Sequence, residues 1–319
     1  FLERALQRLP PDQRVLIVLR FHLDLTLPEA AEALDIPLGT AKSRLHRALA
    51  GYPLTTLDLR WGDLGGRELL PAATVEVISR GKHLLHRVDR GLTVHTHLKM
   101  EGSWRIESTA SVTGRRLADH QLRAVAATAK WTALGLRLGL VEVWPTVDED
   151  RHLGHLGPDI LGPDWDLDRA VARIHDSPSS TLGSALLDQR TLAGLGTLWT
   201  SEALYAARLP PWSPPALATA DSLRALLTRT QRQMQQAAAN GIQSTTGRTR
   251  RGETTAVHGR IGLPCLRCGA TLRLAPIGPP LRVRVLSYCP DCQGGLAPTD
   301  DGRSQRPLGS APRGSSTRR

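Results

Sequence analysis

Several residue types are scarce in this chain, and each scarcity argues against a class of protein. Aromatic residues make up only 4% of the 319 residues, which argues against a platform that stacks the bases of a single strand. No uninterrupted apolar run approaches a membrane span, since the longest candidate, residues 131–144, is broken by Arg137 and Glu142 and predicts strand. No secretory signal is recognisable, so we expect a cytoplasmic protein without a membrane partner.

Cysteine is also rare, but the four cysteines are regularly spaced. They form two CxxC pairs, Cys265 with Cys268 and Cys289 with Cys292, separated by twenty residues. Each pair can place two thiolates on one ion while the arm between them forms a hairpin, so the spacing predicts a structural zinc ribbon. Four thiolates fill the shell, and Zn²⁺ would hold the fold without activating water. The alternative is two disulfides or four unrelated buried thiols.

Basic residues exceed acidic ones, and the net charge is +11. An excess of this size predicts a polyanionic partner, with nucleic acid as the first candidate. The length allows two or three domains. The chain begins with Phe1 rather than Met, from which we expect an incomplete gene product.

Residues 1–50 are helical by pattern. A short helix over 25–34 has Pro28 in its first turn, residues 35–37 supply a turn, and a second helix begins at Leu38, which predicts a helix-turn-helix. The second helix would present donors for phosphates and base edges, namely Thr40, Lys42, Ser43, Arg44 and Arg47. An ordinary small helical bundle fits the periodicity as well.

The run LPPDQRVLIVLRFHLDLTLPEAAEALDIPLGTAKSRLHRAL, residues 9–49, resembles region 4 of an extracytoplasmic-function sigma factor. The resemblance implies contacts with a promoter and with RNA polymerase. The sigma module that melts promoters is absent, so this stretch is not a complete sigma factor.

The hydrophobic pattern then changes twice. Period-two alternation predicts strands at 75–79, 84–88, 92–98 and 121–128, in a β-sandwich or barrel. Beyond Pro163 the pattern predicts two helices, 182–192 and 198–209, joined across 193–197. A third helix is predicted from Asp221, as N-cap, to the stop at Asn240-Gly241.

Five stretches in this order resemble the formamidopyrimidine-DNA glycosylase and endonuclease VIII family of base-excision repair enzymes. They are RLHRALAGYP at 44–53, SRGKHLL at 79–85, HTHLKMEG at 95–102, LGSALLDQRTLAGLGTLWTSEALY at 182–205, and the ribbon at 257–293. Their order and spacing together carry the likeness, which is greatest to the second, actinobacterial-looking class of endonuclease VIII. The resemblance implies a glycosylase and AP lyase that binds duplex DNA at damaged or abasic sites as a monomer, in the nucleoid.

We therefore expect an α+β multidomain chain. The helix-turn-helix would occupy 1–49, the β-sandwich 50–160 with its first helix truncated, the helix-two-turn-helix domain 165–245 and the zinc ribbon 257–294. Residues 242–256 read as a polar linker. The Pro, Gly, Ser and Arg composition of 295–319 predicts a disordered basic tail.

Gly194 and Gly196 lie between the two helices that the family pattern matches. They would let backbone N–H groups approach a phosphate at the N-terminal end of the second helix. The alternative is a tight turn without a ligand. The family carries Asn where this chain has Thr197, whose hydroxyl still donates to a phosphate but lacks the two donors of an amide.

Three further residues take DNA-binding roles from the resemblance. Lys82 matches the lysine that holds the lesion phosphate, although a lone strand lysine is usually only solvated. His97 and Met100 match positions that line the groove and fill the gap left by an extruded base. Taken alone, Met100 would read as core packing.

The ribbon carries a candidate arginine. Arg284, five residues before the third cysteine, matches the zinc-finger arginine that contacts phosphates of the distorted strand, and Arg282 and Arg260 are near enough in sequence to share that role. A planar guanidinium suits phosphate oxygens. The alternative is that all three are surface arginines of a basic domain.

The catalytic residues of the family are missing. Its nucleophile is an N-terminal proline with a free secondary amine, followed by a glutamate that handles protons. Pro37-Leu38-Gly39 only mimics this start, because the nitrogen of Pro37 is an amide and Leu38 cannot move a proton. No intact catalytic pair is therefore predicted.

Three interpretations remain open. The first is a glycosylase and AP lyase whose start has been replaced by a sigma fragment. The second is a catalytically inactive lesion-binding or transcription-related protein. The third is residual lyase activity from the amine of Lys82, which would need burial or a neighbouring cation to become a nucleophile.

Overall fold

The computed structural model describes residues 45, 46, 48–99, 101–250 and 252–305. The predicted helix-turn-helix lies almost wholly outside the described residues, and so do Lys42, Arg44, Met100 and residues 306–319. Among the helices in the described part of the chain, none is both long and apolar enough to span a bilayer.

Two four-stranded antiparallel sheets pack face to face in the N-terminal part of the described chain. One sheet has the order β1 (Thr56–Leu59), β6 (Leu122–Ala127), β7 (Trp131–Leu136), β5 (Ser103–Ser108). The other has the order β2 (Thr74–Arg80), β3 (His83–Val88), β4 (Leu92–His97), β8 (Leu140–Pro145). Leu57 and Ala126 of the first sheet share one apolar core with Val77 and Val94 of the second, which confirms the predicted β-sandwich.

Strand alternation decides which side chains leave this core. Leu84 points into the sandwich core, whereas the next residue, Leu85, packs on the outer face of the sheet against Leu153 and Ala193. The helical part of the molecule therefore covers the outer face of the second sheet. Polar side chains on that face lie close to the boundary between the sandwich and the helical part.

The helical part is built from α2 (Glu149–Leu153), α3 (Leu167–His175), α4 (Leu182–Leu187), α5 (Thr197–Ala207) and α6 (Ala220–Asn240), while a short α1 (Gly114–Leu117) belongs to the sandwich. Apolar faces of α3 to α6 share one core, including Ile174, Leu186, Leu204 and Leu227. Helix α4 ends at Leu187, earlier than predicted, because residues 188–196 form the connecting turn.

The predicted cap of the long helix was wrong. Thr219 is the N-cap of α6, and its side chain accepts from the backbone N–H of Ser222 over 3.2 Å. Asp221 instead lies in the first turn of the helix, where its negative charge interacts favourably with the positive end of the helix dipole.

The C-terminal ribbon is a hairpin of β9 (Arg273–Ile277) and β10 (Arg284–Tyr288). The chain stays ordered beyond the predicted boundary at residue 295, because the side chain of Asp300 is only 1% exposed and accepts from Arg273 and from the Tyr288 hydroxyl. Sequence composition did not indicate this buried ion pair, since only the fold brings Asp300 onto the hairpin.

Candidate nucleic-acid interface

A cleft of about 330 Å³ lies between the sandwich and the helical part, lined by residues of both. Lys82, in the turn between β2 and β3, enters it from one side, and Gly196 and Thr197, at the start of α5, form the other. A Cβ added at Gly196 would lie 3.4 Å from the Nζ of Lys82. The missing side chain of Gly196 therefore leaves room for the ammonium beside the helix N-terminus.

The turn before α5 is held by side chains that sequence reasoning missed. Gly194 has φ +101°, a left-handed conformation suited to glycine. Its N–H donates to Oε1 of Gln189 over 3.0 Å, and the amide of Gln189 donates to the carbonyl of Leu195 over 2.9 Å. The backbone of the turn is thus fixed from behind, which leaves its outer side free for a ligand.

Asp159 pairs through its backbone with Ala193 at the start of this turn, and its side chain holds the strand turn that carries Lys82. Its Oδ2 accepts from the N–H of Gly81 over 2.7 Å, and its Oδ1 accepts from Leu161 over 3.1 Å. A Cβ at Gly81, which has φ +58°, would lie 3.2 Å from the Cβ of Ala193. Glycine at position 81 lets the two turns touch. The one sequence signal for this contact was an acidic residue, Asp159, between apolar neighbours.

The structure places Lys82 in a turn rather than on a strand, and its electrostatic environment is unusual for a lysine in a turn. Burial, and secondly the positive charge of Arg284, lower its pKa to about 8. At neutral pH the ammonium is the main form of Lys82, but a sizeable minority of the side chains carry the free amine. Lys82 can therefore act as a cation for phosphate and, less readily, as a nucleophile.

His97 lies at the end of β4, next to the cleft. Its Nδ1 accepts from the backbone N–H of Lys99 over 2.8 Å, and its ring meets the edge of His83 with 4.9 Å between centroids. Because Nδ1 accepts, Nε2 carries the hydrogen and is a donor. Burial, followed by Lys82, lowers the pKa of His97 to about 4, so His97 is neutral in the free protein.

The arginines of the ribbon separate into two groups. Arg282 and Arg284 are exposed and line a second cleft of about 490 Å³ together with His155 and Arg190. Arg260 lines neither cleft, and its guanidinium reaches the carbonyls of Gly252 and Pro264 at 3.4 Å. The structure brings Arg284 into the field of Lys82 and leaves Arg260 apart.

The four cysteines converge as their spacing predicts. Their sulfur atoms all lie within 4.8 Å of one another, with 4.0 Å between Cys265 and Cys292 and 3.4 Å between Cys268 and Cys289. A tetrahedral ion with bonds of about 2.3 Å separates its sulfur ligands by about 3.8 Å. The donor set therefore fits one thiolate-bound metal ion.

Two residues of α5 tie the cysteine cluster and the segment before it to the helical part. The hydroxyl of Tyr205 donates to Sγ of Cys265 over 3.2 Å. Glu202 accepts from the backbone N–H groups of Ala256, Val257 and His258 over 2.8–2.9 Å. The segment predicted as a linker is thus anchored at its end, and α5 joins the phosphate turn to the ribbon.

Comparison with known proteins identifies two sequence families. Residues 156–249 match the H2TH domain of formamidopyrimidine-DNA glycosylase, which contains the turn beside Lys82. Residues 2–50 match region 4 of sigma-70, so the predicted resemblance of the N-terminal segment is confirmed at the level of sequence.

Full-length relatives extend the likeness over most of the chain. It is 42% identical over 267 residues to a probable endonuclease 8 2 of Streptomyces coelicolor, covering 83% of this chain and 95% of that protein. It is 38% identical over 250 residues to a DNA-(apurinic or apyrimidinic site) lyase of Mycolicibacterium smegmatis, covering 78% and 94%.

The fold agrees with the sequence comparisons. A Lactococcus lactis formamidopyrimidine-DNA glycosylase, solved with DNA that contains an abasic site, superposes with a TM-score of 0.67 at 20% identity, covering 82% of this chain and 98% of that one. With the sandwich, the H2TH turn and the four-cysteine ribbon in the same order, this chain belongs to the formamidopyrimidine-DNA glycosylase and endonuclease VIII family.

Proposed function

We propose that this protein recognises abasic or base-damaged nucleotides in duplex DNA, as a DNA-binding member of base-excision repair. The observation that carries the proposal is the meeting of Lys82 with the Gly194–Thr197 turn in one cleft, from two layers of the fold. A cation beside backbone donors at a helix N-terminus forms a binding site for a phosphate group. The relatives that act on such DNA support the same assignment.

The cleft also has an apolar wall beyond the phosphate-binding end. Leu198, Trp199 and Met234 line it. An extruded base or sugar needs such a wall, because it leaves the stacked duplex and must be enclosed elsewhere. His97 and Arg284 would contact the flanking phosphates, His97 through its Nε2 hydrogen and Arg284 through its exposed guanidinium.

The chemistry of this chain differs from that implied by the family. Residues 37–44 offer no proline amine and no neighbouring glutamate, so the protein would bind lesions without the usual nucleophile. A second candidate function is AP lyase activity by Lys82, which its lowered pKa favours. In that reaction the free amine attacks the sugar aldehyde and forms an imine with loss of water.

The metal is proposed to be Zn²⁺, because four thiolates at tetrahedral spacing select a soft or borderline ion. When bound it would stabilise the ribbon and keep Arg282 and Arg284 at the second cleft. Cys265, Cys268, Cys289 and Cys292 would hold it, and no position would be left for water.

The remaining assignments follow from DNA binding. The sigma-like segment, supported by its match over residues 2–50, would add duplex contacts through Lys42 and Arg44 and a surface for RNA polymerase. We propose a monomer, because one chain suffices to form the cleft. A basic DNA-binding protein of this kind would be found at the nucleoid.

Anisotropy titration of the full chain tests the proposal. One duplex carries a tetrahydrofuran abasic analogue, and its matched partner carries an intact nucleotide. We expect at least about tenfold tighter binding to the analogue, a loss of that preference in Lys82→Ala, and wild-type behaviour in Arg115→Ala, which changes an exposed arginine of α1. Equal binding of the two duplexes by the wild type would exclude lesion recognition.

Borohydride trapping on a natural abasic site separates the two candidate functions. A covalent adduct that maps to Lys82 would establish the lyase chemistry. Tight binding without an adduct would establish a lesion-binding protein that has no nucleophile.

A further inference from the structure

Two buried polar atoms at the inner end of the cleft have no hydrogen-bond partner among the residues that the structure describes. They are the hydroxyl oxygen of Thr96 and the indole Nε1 of Trp104. Thr96 is only 1% exposed, and both residues line the cleft beside Lys82. A polar group that is buried without a partner destabilises the folded protein, so a pair of them at one site indicates a ligand.

The two residues belong to different sheets of the sandwich. Thr96 lies on β4 of the second sheet, directly opposite Leu84 on β3. Trp104 lies on β5 of the first sheet, opposite Gly135 on β7. A Cβ added at Gly135 would lie 3.1 Å from Cη2 of Trp104, so this glycine leaves room for the indole ring. The hydroxyl and the indole thus approach the opening of the sandwich from its two sides.

The space at this opening suits a small group. Leu84, Thr96 and Trp104 line both the cleft and an internal cavity of about 10 Å³ behind it. A cavity of that volume holds about one water-sized group and is too small for a base. A hydroxyl group of a ligand matches it, because the hydroxyl of Thr96 can donate or accept and the indole N–H can donate. The alternative occupant is an ordered water molecule.

The sugar is the part of the lesion that reaches this end of the cleft. Two residues separate Lys82 from Leu84, so their Cα atoms are at most about 7 Å apart, and Leu84 faces Thr96 directly. A phosphate held by Lys82 therefore brings its own sugar to the opening of the sandwich. An abasic sugar carries a hydroxyl on C1′ where an intact nucleotide carries its base.

We propose that Thr96 and Trp104 are specificity-determining residues that bind the C1′ hydroxyl of an abasic sugar. The oxygen of Thr96 accepts the hydrogen of that hydroxyl, and Nε1–H of Trp104 donates to its oxygen. Solvent does not reach either atom in the free protein, so the wall of the cleft opens slightly as the sugar enters. The pair favours an abasic site over a nucleotide that keeps its base. This inference rests on the proposed function.

Anisotropy titrations of the full chain test this contact with two abasic duplexes. One carries an abasic site that has been reduced with borohydride, which has a C1′ hydroxyl and cannot react with Lys82. The other carries the tetrahydrofuran analogue, which has no hydroxyl on C1′. We expect the wild type to bind the hydroxyl-bearing duplex about tenfold more tightly, as two neutral hydrogen bonds allow. In Thr96→Val and in Trp104→Phe this ratio should fall to about twofold or less.

Stability provides a readout without DNA. Thr96→Val replaces an unpaired buried hydroxyl by a methyl group of similar size, so we expect the midpoint of urea unfolding to stay at or above the wild-type value. Thr132→Val is the matched control, because Thr132 is buried on β7 and its hydroxyl lies 2.9 Å from that of Thr109. Its midpoint should fall. A lower midpoint for Thr96→Val would show that its hydroxyl is already paired, with water or another part of the chain, and would overturn the proposal.

The outcomes distinguish this inference from the function it rests on. Trp131→Phe is the control for Trp104→Phe, since Trp131 is half-buried and does not line the cleft, and it should keep the wild-type ratio. Equal binding of the tetrahydrofuran and intact duplexes by the wild type would defeat the proposed function and this inference together. A preference for lesions with equal affinities for the two abasic duplexes, or a ratio that survives both substitutions, would defeat this inference alone.

Discussion

The backbone N–H of Gly81 donates to Oδ2 of Asp159 over 2.7 Å and joins the strand turn of the sandwich to the segment that pairs with Ala193, at the start of the H2TH turn. Because Lys82 follows Gly81 directly, this bond also sets how far the lysine reaches across the cleft. The carboxylate is an inter-domain clamp whose removal would affect both stability and DNA binding.

Removal of that clamp should be measurable. Asp159→Ala leaves the N–H groups of Gly81 and Leu161 without their charged acceptor, so we expect the free energy of unfolding to fall by about 2 kcal/mol. Affinity for the abasic-analogue duplex should fall as well. Urea denaturation and anisotropy measure the two effects. Asp168→Ala, whose side chain is 77% exposed, should change stability by less than about 0.5 kcal/mol, and a wild-type unfolding curve for Asp159→Ala would contradict the role.

Lesion binding should depend on pH through Lys82. Burial, then Arg284, places the folded pKa at about 8, below the ordinary value of 10.5, so the ammonium that holds phosphate is lost as pH rises through 8. We expect affinity to fall about tenfold between pH 7 and pH 9. Lys82→Arg keeps its charge over this range and should bind nearly independently of pH. The same pH dependence in Lys82→Arg would assign it to another group.

Arg284 should contribute one phosphate contact. In Arg284→Ala the slope of log affinity against log salt should become shallower by about 0.9, because one counterion fewer is released. Titrations at several salt concentrations measure this slope. Arg115→Ala is again the control, and an unchanged slope for Arg284→Ala would remove Arg284 from the interface.

Thr197 offers a gain-of-affinity test. It begins α5 and lines the cleft, where an amide has two donors for phosphate and a hydroxyl has one. We expect Thr197→Asn to bind the abasic-analogue duplex about fivefold more tightly, equivalent to about 1 kcal/mol for one added bond. Thr197→Val should bind more weakly than wild type, and any result in which Asn and Val behave alike would contradict the contact.

Metal removal should release the ribbon. We expect one Zn²⁺ per chain by elemental analysis, and in Cys289→Ser both the metal and the lesion preference should be lost. The control is Asp291→Asn, because Asp291 lies between two of the cysteines in sequence and is not a ligand. This variant should keep both the metal and the lesion preference. Retained lesion binding in metal-free Cys289→Ser would show that the ribbon does not depend on metal.

Local patterns predicted much of the fold. Alternation over 84–88 and 92–98 located β3 and β4, since side chains of a strand alternate between faces. Helices α4, α5 and α6 of the H2TH domain were found by periodicity, but α3 was not predicted and α4 was predicted five residues too long. The turn at 188–196 is held by hydrogen bonds from the side chain of Gln189 to the backbone of residues 194 and 195. Such bonds do not appear in the hydrophobic periodicity of the sequence.

The candidate site was predicted less completely. Lys82, Gly194, Gly196 and Thr197 were named from the sequence and meet in the cleft. Arg260 was named with them and lies elsewhere. Met100, Lys42 and Arg44 fall outside the described residues, so their DNA contacts stay predictions.

The sequence by itself determined the elements whose signal is local: the two CxxC pairs, the period of each strand and helix, and the order of motifs that defines the family. Only the tertiary structure decided which side chains meet across long separations. Asp159 reaches Gly81 across 78 positions, and Glu142 reaches His95 across 47. These partners depend on sheet register and on how two layers dock, and both result from the packing of the whole core rather than from any short stretch of chain.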